Sequence, residues 1–435
     1  MAELHLWMNG QAVGVWSLQR SGAALTYEQS WIDSPQGRPL SLSLQFDSAH
    51  RPETVENYFE NLLPDSAAIR RRIRQRFRTS STSAFDLLQS IGRDCVGALQ
   101  ILPPGETPEG WDRIDADRID DLDVERILTA VTSASALGHD DIDEFRISIA
   151  GAQEKTALLR IGDQWHRPHG ATPTTHILKL PLGLVGNMRA DMSSSVENEW
   201  LCAQILSALG LPVAKTEIGV FGDAKALVVE RFDRQWMGAS DPWVLRLPQE
   251  DLCQAHGLSP DLKYQSDGGP TMLGCLQRLR GSERAADIGV FALAQFAFWL
   301  LAATDGHAKN FSIHHLRGGR YAMTPLYDVL SAWPIIGNGP NQLPYSRAKL
   351  AMGLKSRNMH YRLSELNARH WQGLALQAGP QTWPAMKAMA EGVGDALDAA
   401  ARQLPAGFPG NTWHAVADGT RQHAALFLGQ AGGLG

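Results

Sequence analysis

The stretch Thr304–Asp328, TDGHAKNFSIHHLRGGRYAMTPLYD, contains acidic and amide side chains in an order typical of phosphoryl-transfer enzymes. Asp305 and Asn310 lie five positions apart, which is the interval between the catalytic-base Asp and the metal-binding Asn in the protein-kinase catalytic loop. The runs FSIHHLR and RYAMTP each predict a short strand, and the Gly318-Gly319 dipeptide between them favours a two-residue hairpin turn. The stretch therefore predicts a catalytic loop followed by a β-hairpin.

The predicted turn also sets the register of this hairpin. With the two glycines as the turn, Asn310 lies opposite Tyr327, and Asp328 is its neighbour. A side-chain amide and a carboxylate at the open end of a hairpin suit a hard cation such as Mg2+, while Asp305 remains available to orient a hydroxyl. The alternative is that Asp305 begins a turn and Asp328 caps a helix, so the other parts of a phosphotransferase have to be identified.

A lysine and a glutamate upstream supply such parts. The segment His176–Leu180, HILKL, predicts an apolar strand that contains Lys179, and a lysine in a buried strand needs an anionic partner. A helix then begins with a predicted capping box from Ser194 to Glu197, and Glu199 lies on its apolar face. A strand lysine followed about twenty residues later by an inward-facing helix glutamate is the pair that positions ATP phosphates in protein kinases.

Two further segments are compatible with a nucleotide site. In Ala150–Lys155, AGAQEK, small side chains would let backbone N–H groups approach phosphate oxygens, although with one glycine a strand-turn-strand interpretation also holds. The run Ala226–Glu230, ALVVE, predicts a buried strand that ends at ERFDR, where a two-lobed kinase has the hinge that holds adenine. A surface strand end with alternating charges fits ERFDR equally well.

Composition limits the class of protein. The chain has 435 residues, which is long enough for two or three domains. Its formal net charge of -6 argues against non-specific nucleic-acid affinity of the whole molecule. Its four cysteines lack metal-ligand spacing and predict reduced, buried thiols in a cytosolic protein. The first residues lack the pattern of a signal peptide, and the longest apolar run, Val290–Ala303, is too short to span a bilayer. We therefore expect a cytoplasmic protein.

The remaining patterns predict a β-rich start and a helical end. A hairpin turns at Asn9-Gly10, and strands are predicted at Ala24–Glu28 and Leu40–Phe46. A helical segment from Thr54 to Gln75 leads into clustered arginines, which favour a solvated face, a partner surface or a phosphate-backbone contact. Those arginines are Arg70, Arg71, Arg72, Arg74, Arg76 and Arg78. Further helices are predicted at about Asp121–Leu137, Pro248–Gly257, Gly289–Ala303, Leu363–Ala378, Trp383–Leu397 and Thr412–Leu428.

Taken together, these strings resemble the HipA family, the serine/threonine kinase toxins of bacterial HipBA toxin-antitoxin pairs. The resemblance is carried by SIAGAQEKTALL, HILKLP, ENEWLC, ERFDR, LPQEDLCQA, KYQSDGGP, TDGHAKNFSI and TPLYDVLSAWP, and near the start by YFENLLPD and GRDCVGAL. It implies an α+β, two-lobed protein-kinase-like fold. The implied divisions are an N-terminal β-rich subdomain (1–103), a linker and helix (104–145), a mixed α/β N-lobe (146–236) and a mostly α-helical C-lobe (237–435).

The resemblance also implies roles for individual residues. Asp305 matches the catalytic base, Lys179 the ATP-phosphate lysine, and Asn310 with Asp328 the metal positions. It further implies autophosphorylation of Ser148, which would place about two negative charges beside the phosphate-binding segment and disable ATP binding. The nucleotide-binding positions implied in addition are Ala150, Gly151, Ala152, Gln153, Glu154, Lys155, Glu230, Arg231, Phe232, His307, Ala308, Lys309 and Tyr327.

The implied activity is that of a non-specific serine/threonine protein kinase that uses ATP and Mg2+. The resemblance implies glutamyl-tRNA synthetase as a protein substrate, with inhibition of translation, growth arrest and persistence as the result. It implies as partner a HipB-like antitoxin, a helix-turn-helix dimer, with which the protein represses its operon on operator DNA. A kinase-like small-molecule phosphotransferase and a non-catalytic corepressor acting only through the antitoxin remain alternatives.

Overall fold

The computed structural model describes residues 2–47, 49–132 and 153–433. Its strands are β1 (Ala2–Met8), β2 (Gln11–Gln19), β3 (Gly22–Tyr27), β4 (Leu99–Leu102), β5 (Ala116–Ile119), β6 (Lys155–Ile161), β7 (Gln164–Pro168), β8 (His176–Lys179), β9 (Gly183–Val185), β10 (Ala190–Met192), β11 (Thr216–Phe221), β12 (Ala224–Glu230), β13 (Arg234–Met237), β14 (Trp243–Arg246), β15 (Gln249–Asp251), β16 (Ser312–His315), β17 (Tyr321–Met323), β18 (Lys349–Lys355) and β19 (Met359–Arg362). Its helices are α1 (Gln29–Ile32), α2 (Pro52–Glu60), α3 (Ala67–Phe77), α4 (Ala84–Ile91), α5 (Asp121–Thr132), α6 (Ser195–Ala208), α7 (Leu252–His256), α8 (Met272–Leu279), α9 (Asp287–Leu300), α10 (Ala368–Ala378), α11 (Thr382–Glu391), α12 (Val393–Ala401) and α13 (Gly410–Ala431).

The chain forms two compact units. Unit 1 comprises Met1–Leu180, Gly219–Leu262 and Ser312–Tyr321, and unit 2 comprises Pro181–Ile218, Lys263–Phe311 and Ala322–Gly435. The mixture of helices and sheets confirms the predicted α+β class. The finer division into four segments stays a prediction.

Unit 1 begins with a four-stranded antiparallel sheet of order β3-β2-β1-β4. Its first hairpin turns at Asn9 (φ 44°) and Gly10 (φ 77°), and two left-handed residues in succession form the turn that matches the twist of a two-residue hairpin. This turn confirms the prediction made from the Asn-Gly dipeptide. One face of the sheet is covered by α2 and α4, where Trp16 stacks on Phe59 with ring centroids 3.7 Å apart.

The strand predicted at Leu40–Phe46 is wrong. This segment forms turns with an isolated bridge between Ser41 and Leu44. The hydroxyl groups of Ser41 and Ser43 both donate to the carbonyl oxygen of Gln254, at 3.1 and 2.7 Å. Serine hydroxyls that bond a neighbouring backbone compete with a strand ladder, which explains the irregular path.

A second sheet contains six strands in the order β11-β12-β8-β6-β7-β5. The middle of β12, including Leu227 and Val228, is buried, as are Leu158 of β6 and Leu178 of β8. The apolar runs HILKL and ALVVE are therefore central strands, as predicted. Central strands covered on both faces read as continuous apolar runs.

The hairpin after the catalytic loop differs from the prediction by one residue. The N–H of Leu316 donates to the carbonyl of Arg320 at 2.8 Å, so the connection has three residues rather than two. Gly318 and Gly319 have φ values of 70° and 72°. The left-handed conformation is the one that glycine adopts without cost, but a glycine pair is compatible with more than one loop length.

Unit 2 is organised around α9, which is buried along most of its length. Phe296 of this helix lies against Trp371 and Phe427, with ring centroids 5.2 and 4.6 Å apart. The predicted helix at Gly289–Ala303 is confirmed in type and nearly in extent. Within the described residues, no helix combines the length and apolar character that crossing a membrane requires.

Two helix predictions require correction. The helix predicted from Pro248 begins only at Leu252, where Asp251 and Gln254 form a capping box, and it ends at Gly257 with φ 70°. The helix predicted at Trp383–Leu397 is divided into α11 and α12 at Gly392. All four cysteines lie among the described residues as buried thiols, as predicted.

Candidate active site

The predicted catalytic loop, residues 305–310 of unit 2, follows the buried helix α9. The side chain of Asp305 is 61% exposed, whereas the residues that precede it in α9 are buried. The carbonyl oxygen of Asp305 accepts from the N–H of His307 and from Nδ2 of Asn310, each at 2.8 Å. The loop between Asp305 and Asn310 is therefore closed by hydrogen bonds to the residue at its start.

A glycine allows this loop to pack directly on α9. A Cβ atom built on Gly306 would lie 2.4 Å from Cδ2 of Phe298, closer than side-chain contacts occur. The N–H of Ala308 donates to the carbonyl of Lys263 at 3.3 Å, which fixes the other side of the loop. The position of Asp305 is thus determined by packing as well as by hydrogen bonds.

Two aromatic side chains surround the Asp305 carboxylate. The hydroxyl of Tyr264 donates to Oδ1 of Asp305, and Nε2 of His307 lies 3.9 Å from Oδ2. The rings of Tyr264 and His307 meet edge to face with centroids 5.2 Å apart. Sequence reasoning assigned no role to Tyr264, because its contact with Asp305 spans 41 residues and has no local signal.

Asn310 connects the catalytic loop with the segment at Asp328. Its Nδ2 atom also donates to the carbonyl of Asp328 at 3.3 Å, and Asp328 has a left-handed φ of 59°. In the same segment, the hydroxyl of Tyr327 donates to the carbonyl of Lys309 at 2.7 Å. The structure therefore brings together the residues that the sequence placed at the open end of the hairpin, although through different contacts.

The predicted metal ligands here, Asn310 and Asp328, supply one amide and one carboxylate. Because Nδ2 of Asn310 donates to two carbonyls, Oδ1 is the end of the amide that faces away from these backbone groups. Among the described residues, no three His, Cys, Asp or Glu side chains cluster as a metal site. One amide oxygen and the Asp328 carboxylate are the kind of sparse oxygen set that Mg2+ uses when water and phosphate complete its coordination.

An asparagine that the sequence reasoning missed supports the Asp328 segment. Asn198 of α6 donates through Nδ2 to the carbonyl of Ser331 at 2.8 Å and accepts at Oδ1 from the Ser331 N–H at 2.9 Å. Both residues are buried, and the Ser331 hydroxyl donates to the carbonyl of Leu301 at 2.6 Å. The backbone three residues beyond Asp328 is thus anchored by side chains.

In unit 1, two lysines lie side by side on neighbouring strands. Lys155 of β6 is directly opposite Lys179 of β8, and opposed residues of an antiparallel pair project from the same face. Lys179 is 6% exposed. Two positive charges therefore lie on one face of this strand pair.

The described residues of the predicted phosphate-binding segment contact Leu180, at the end of β8, and Arg72 of α3. The side-chain amide of Gln153 donates to the carbonyl of Leu180, and the Leu180 N–H donates to the carbonyl of Glu154 at 3.1 Å. The carboxylate of Glu154 forms an ion pair with Arg72, one of the clustered arginines of α3. The remaining predicted positions, Ser148, Ala150, Gly151 and Ala152, lie outside the described residues.

The predicted hinge follows β12. Glu230, the last residue of this strand, pairs with His176 of β8 and is exposed, whereas Arg231 is buried. The Phe232 ring lies edge to face against His314 at 5.7 Å. The interpretation of ERFDR as an exposed strand end with alternating charges is therefore wrong at Arg231.

Glu199 lies in α6 and is 4% exposed, as its place on the apolar face predicts. Glu197 is equally buried at 4%, and Ser194 makes no side-chain cap hydrogen bond. The predicted capping box is thus wrong. The neighbouring Ser195 hydroxyl instead accepts from the Leu182 N–H at 2.9 Å.

Unit 1 also contains a cavity of about 600 Å³ that includes none of the predicted site residues. Trp31, Trp111 and Trp243 contribute to its walls, together with Arg38 and Arg246. It lies apart from the lysine pair on β6 and β8.

An exposed aspartate in the loop after a buried helix, an asparagine five residues later and a lysine within a central strand are the features predicted for a kinase-like α+β protein. Matches to two family models identify the family. Residues 4–102 match the HipA N-terminal domain, and residues 147–403 match the HipA-like C-terminal domain. The chain belongs to the HipA family.

Relatives agree with this assignment. The chain is 34% identical to Y4mE of Sinorhizobium fredii over 386 residues, which cover 86% of each chain. It is 28% identical to the serine/threonine-protein kinase toxin HipA of Shewanella oneidensis over 322 residues, 71% of this chain and 70% of that one. A solved complex of Shewanella oneidensis HipA, HipB and operator DNA contains a chain with the same fold, with a TM-score of 0.79 and 22% identity over 98% of this chain and 97% of that one.

Proposed function

We propose that this chain is the serine/threonine-protein kinase toxin of a HipBA-type toxin-antitoxin pair, acting in the cytoplasm. The observation that carries the proposal is the exposed Asp305 carboxylate in the loop that follows the buried helix α9. The Asn310 amide donates to the backbone carbonyls of both Asp305 and Asp328. Membership in the HipA family supports the same activity. In protein kinases, catalysis of this kind depends on positioning and charge rather than on covalent chemistry.

In the proposed reaction, Asp305 orients the hydroxyl of a protein serine for attack on the γ-phosphorus of ATP. The bond from the γ-phosphorus to the bridging oxygen breaks and ADP leaves. The hydroxyl proton passes to the Asp305 carboxylate. The Tyr264 hydroxyl, which donates to Oδ1, holds the carboxylate so that Oδ2 faces the acceptor. Mg2+ bound by Asn310 and Asp328 would neutralise phosphate charge.

Residues from several segments of the chain are proposed to bind the nucleotide. Lys179, with Glu199 as its proposed partner, would position the ATP phosphates, and Lys155 beside it adds a second positive charge to the same strand face. Glu230, Arg231 and Phe232 are the proposed hinge. His307, Ala308, Lys309 and Tyr327 complete the proposed nucleotide positions, with Gln153 and Glu154 from the phosphate-binding segment.

The proposed protein substrate is glutamyl-tRNA synthetase, and the proposed self-regulation is autophosphorylation of Ser148. A phosphate at Ser148 would add about two negative charges close to Gln153–Lys155 and disfavour ATP there. Phosphorylation of the synthetase would inhibit translation and cause growth arrest and persistence. The proposed partner is a HipB-like helix-turn-helix dimer, with which the chain represses its operon at operator DNA.

Mass spectrometry after incubation with Mg2+-ATP tests the activity. The protein is incubated alone and with bacterial glutamyl-tRNA synthetase, beside Asp305→Asn and the control Asp163→Asn, whose side chain is 97% exposed. Phosphate on the synthetase or on Ser148 with wild type and Asp163→Asn, and none with Asp305→Asn, is the expected result. Equal phosphorylation by Asp305→Asn would overturn the assignment of the catalytic loop, and no phosphate with wild type would overturn the protein-kinase activity.

Two further arms separate the regulatory proposals. If Ser148 is an off switch, Ser148→Ala retains activity during incubation with ATP while wild type loses it, and equal loss would refute the switch.

For repression, operator binding is measured with and without the antitoxin over a range of salt concentrations. Phosphate-backbone binding falls steeply with salt, and operator binding by this chain alone would argue against antitoxin-dependent repression.

A further inference from the structure

A buried network of charged side chains surrounds the proposed hinge of unit 1. Its exposed fractions are 5% at Asp94, 4% at Arg231, 3% at Asp233 and 1% at Arg246. We call it the hinge network, and it consists of Asp94, Thr174, Arg231, Asp233, Arg234 and Arg246. With three guanidinium groups and two carboxylates, each lost contact would leave a charge in a poorly hydrated site.

Asp94 is the acceptor at the centre of the hinge network. Its Oδ1 accepts from Nη2 of Arg234 at 2.9 Å and from Nε of Arg246 at 3.2 Å. Its Oδ2 accepts from the hydroxyl and the N–H of Thr174, at 2.7 and 3.1 Å, and from Nη1 of Arg231 at 3.3 Å. A single carboxylate from the HipA N-terminal domain, residues 4–102, therefore contacts three arginines that lie outside that domain.

The side chain of Arg231 is fully used within the protein. Its guanidinium donates to both carboxylate oxygens of Asp233, at 3.0 and 2.8 Å. The remaining donors reach Asp94, the Thr174 hydroxyl at 2.9 Å and the carbonyl of Cys95 at 2.9 Å. All five N–H groups of an arginine are thus bonded in a buried position.

The backbone of Arg231 is likewise engaged. Its N–H donates to the carbonyl of Thr175 at 2.9 Å, and its carbonyl accepts from the Arg234 N–H at 3.2 Å. The side chain and N–H of Arg231 therefore have no donor left for a nucleotide. Direct contact with adenine falls to its neighbours Glu230 and Phe232, and Arg231 fixes where their backbone lies.

Hydrogen bonds run in both directions between the Asp94 segment and the hinge. The N–H of Gly97 donates to Oδ2 of Asp233 at 2.7 Å, and Nη1 of Arg234 donates to the carbonyl of Gly97 at 2.8 Å. Gly97 has a φ of 77°, a conformation that favours glycine. The segment 94–97 and the hinge are therefore bonded on both sides.

Electrostatics keep the hinge network charged. Burial alone would raise the pKa of Asp94, but Arg234, Arg231 and Arg246 together outweigh burial and hold that pKa well below its usual range. Burial would likewise raise the pKa of Asp233, whereas its two arginine neighbours lower it to about 2. Both carboxylates are therefore ionised throughout the neutral range.

We propose that Asp94 is a positioning residue for the nucleotide, and that the N-terminal domain sets the affinity of the kinase for adenine nucleotides by orienting the hinge. Asp94 acts through Arg231, whose fixed position determines the backbone of Glu230 and Phe232. The inference rests on the proposed function. It adds that the N-terminal domain belongs to the nucleotide site.

The test compares nucleotide affinity with turnover in the full-length chain. Asp94→Asn removes the charge at nearly constant shape, and Thr174→Val removes one donor to Asp94 without changing any charge. Glu106→Gln is the matched control, because Glu106 is paired with Arg93 near the surface of the same region, outside the hinge network. Binding of ATP and of adenosine is measured by calorimetry, and KM for ATP and kcat by phosphotransfer.

We expect Asp94→Asn to lower the affinity for both ATP and adenosine about tenfold, the effect of losing one or two good hydrogen bonds. KM for ATP should rise while kcat changes little. Thr174→Val should show the same pattern more weakly, and Glu106→Gln should match wild type. Since adenosine lacks phosphates, its weaker binding places the defect at the hinge.

Unchanged adenosine and ATP affinity in both variants would overturn the inference. So would a loss of kcat at constant KM. If Asp94→Asn does not fold, the affinities of Thr174→Val and Arg231→Lys for ATP and adenosine test the inference. Arg231→Lys keeps the charge and loses the two-point contact with Asp233. A wild-type protein without phosphotransfer would refute the proposed function instead, and adenosine binding would still test the hinge.

Discussion

Replacing Asn198 by alanine tests whether the Asp328 segment depends on a buried side-chain anchor. The amide of Asn198 makes two hydrogen bonds to the backbone of Ser331, at 2.8 and 2.9 Å. Asn198 is 1% exposed and Ser331 is 0% exposed, so water does not reach either backbone group in the folded protein. The variant leaves one buried N–H and one buried carbonyl without a partner.

The magnitude follows from these two groups. A buried polar group without a hydrogen bond costs about 1–3 kcal/mol, so the free energy of unfolding should fall by roughly 2–5 kcal/mol. In a unit of this size, 1 kcal/mol corresponds to about 2–4 °C in Tm, and a decrease of about 5–15 °C is expected. Because Ser331 follows Asp328 by three residues, phosphotransfer should fall as well.

Chemical denaturation followed by circular dichroism measures the change, and Asn358→Ala is the control because Asn358 is exposed. Surface substitutions of that kind change stability by no more than about 0.5 kcal/mol. The reasoning is refuted if Asn198→Ala and Asn358→Ala have the same unfolding free energy.

Three other predictions concern the catalytic loop and the core behind it. Asp305→Asn should raise the activation free energy of phosphotransfer by several kcal/mol and so lower kcat. Its affinity for ATP, measured by calorimetry, should stay near that of wild type. Gly306→Ala forces its new Cβ against Phe298 at 2.4 Å and should lower kcat about 100-fold by displacing the loop, with partial recovery in the double variant that also carries Phe298→Leu. Burial lowers the pKa of His423 to about 4 from an ordinary value of about 6.5, so the unfolded chain binds the proton more readily between these values. Stability that is present above pH 6.5 should therefore be lost as the pH falls toward 4, by up to about 3 kcal/mol, and the dependence of unfolding free energy on pH should be flatter in His423→Gln.

Much of the catalytic loop could be predicted because its signals are local. The interval from Asp305 to Asn310 and the apolar run before it are visible in one short stretch, and the loop closes through hydrogen bonds among its own residues. The strands HILKL and ALVVE were equally clear, since continuous apolar runs favour central strands. The fold class followed from these elements and from the family resemblance.

What the sequence could not supply depends on residues far apart in the chain. Tyr264 and Asn198 act on backbone or side-chain groups 41 and 133 residues away, and no pattern within a short window records such contacts. The alternating charges of ERFDR indicated a surface strand end as readily as a hinge. Buried Arg231 donates to the neighbouring Asp233 and also to Asp94, 137 residues earlier, which no local pattern records.

The use of ions in the hinge network has a physical reason beyond stability. Apolar residues of similar volume often stabilise a protein as well as a buried ion pair does. Dispersion and apolar burial, however, have no preferred direction, so an apolar cluster would hold the hinge segment in place without fixing the rotation of its peptide groups. The bonds from Arg231 to Asp94, Asp233 and the Cys95 carbonyl restrict that rotation, and the adenine recognition proposed for the backbone of this segment would depend on it. An ionic hinge network is therefore expected where the direction of a backbone group, rather than its position alone, determines nucleotide affinity.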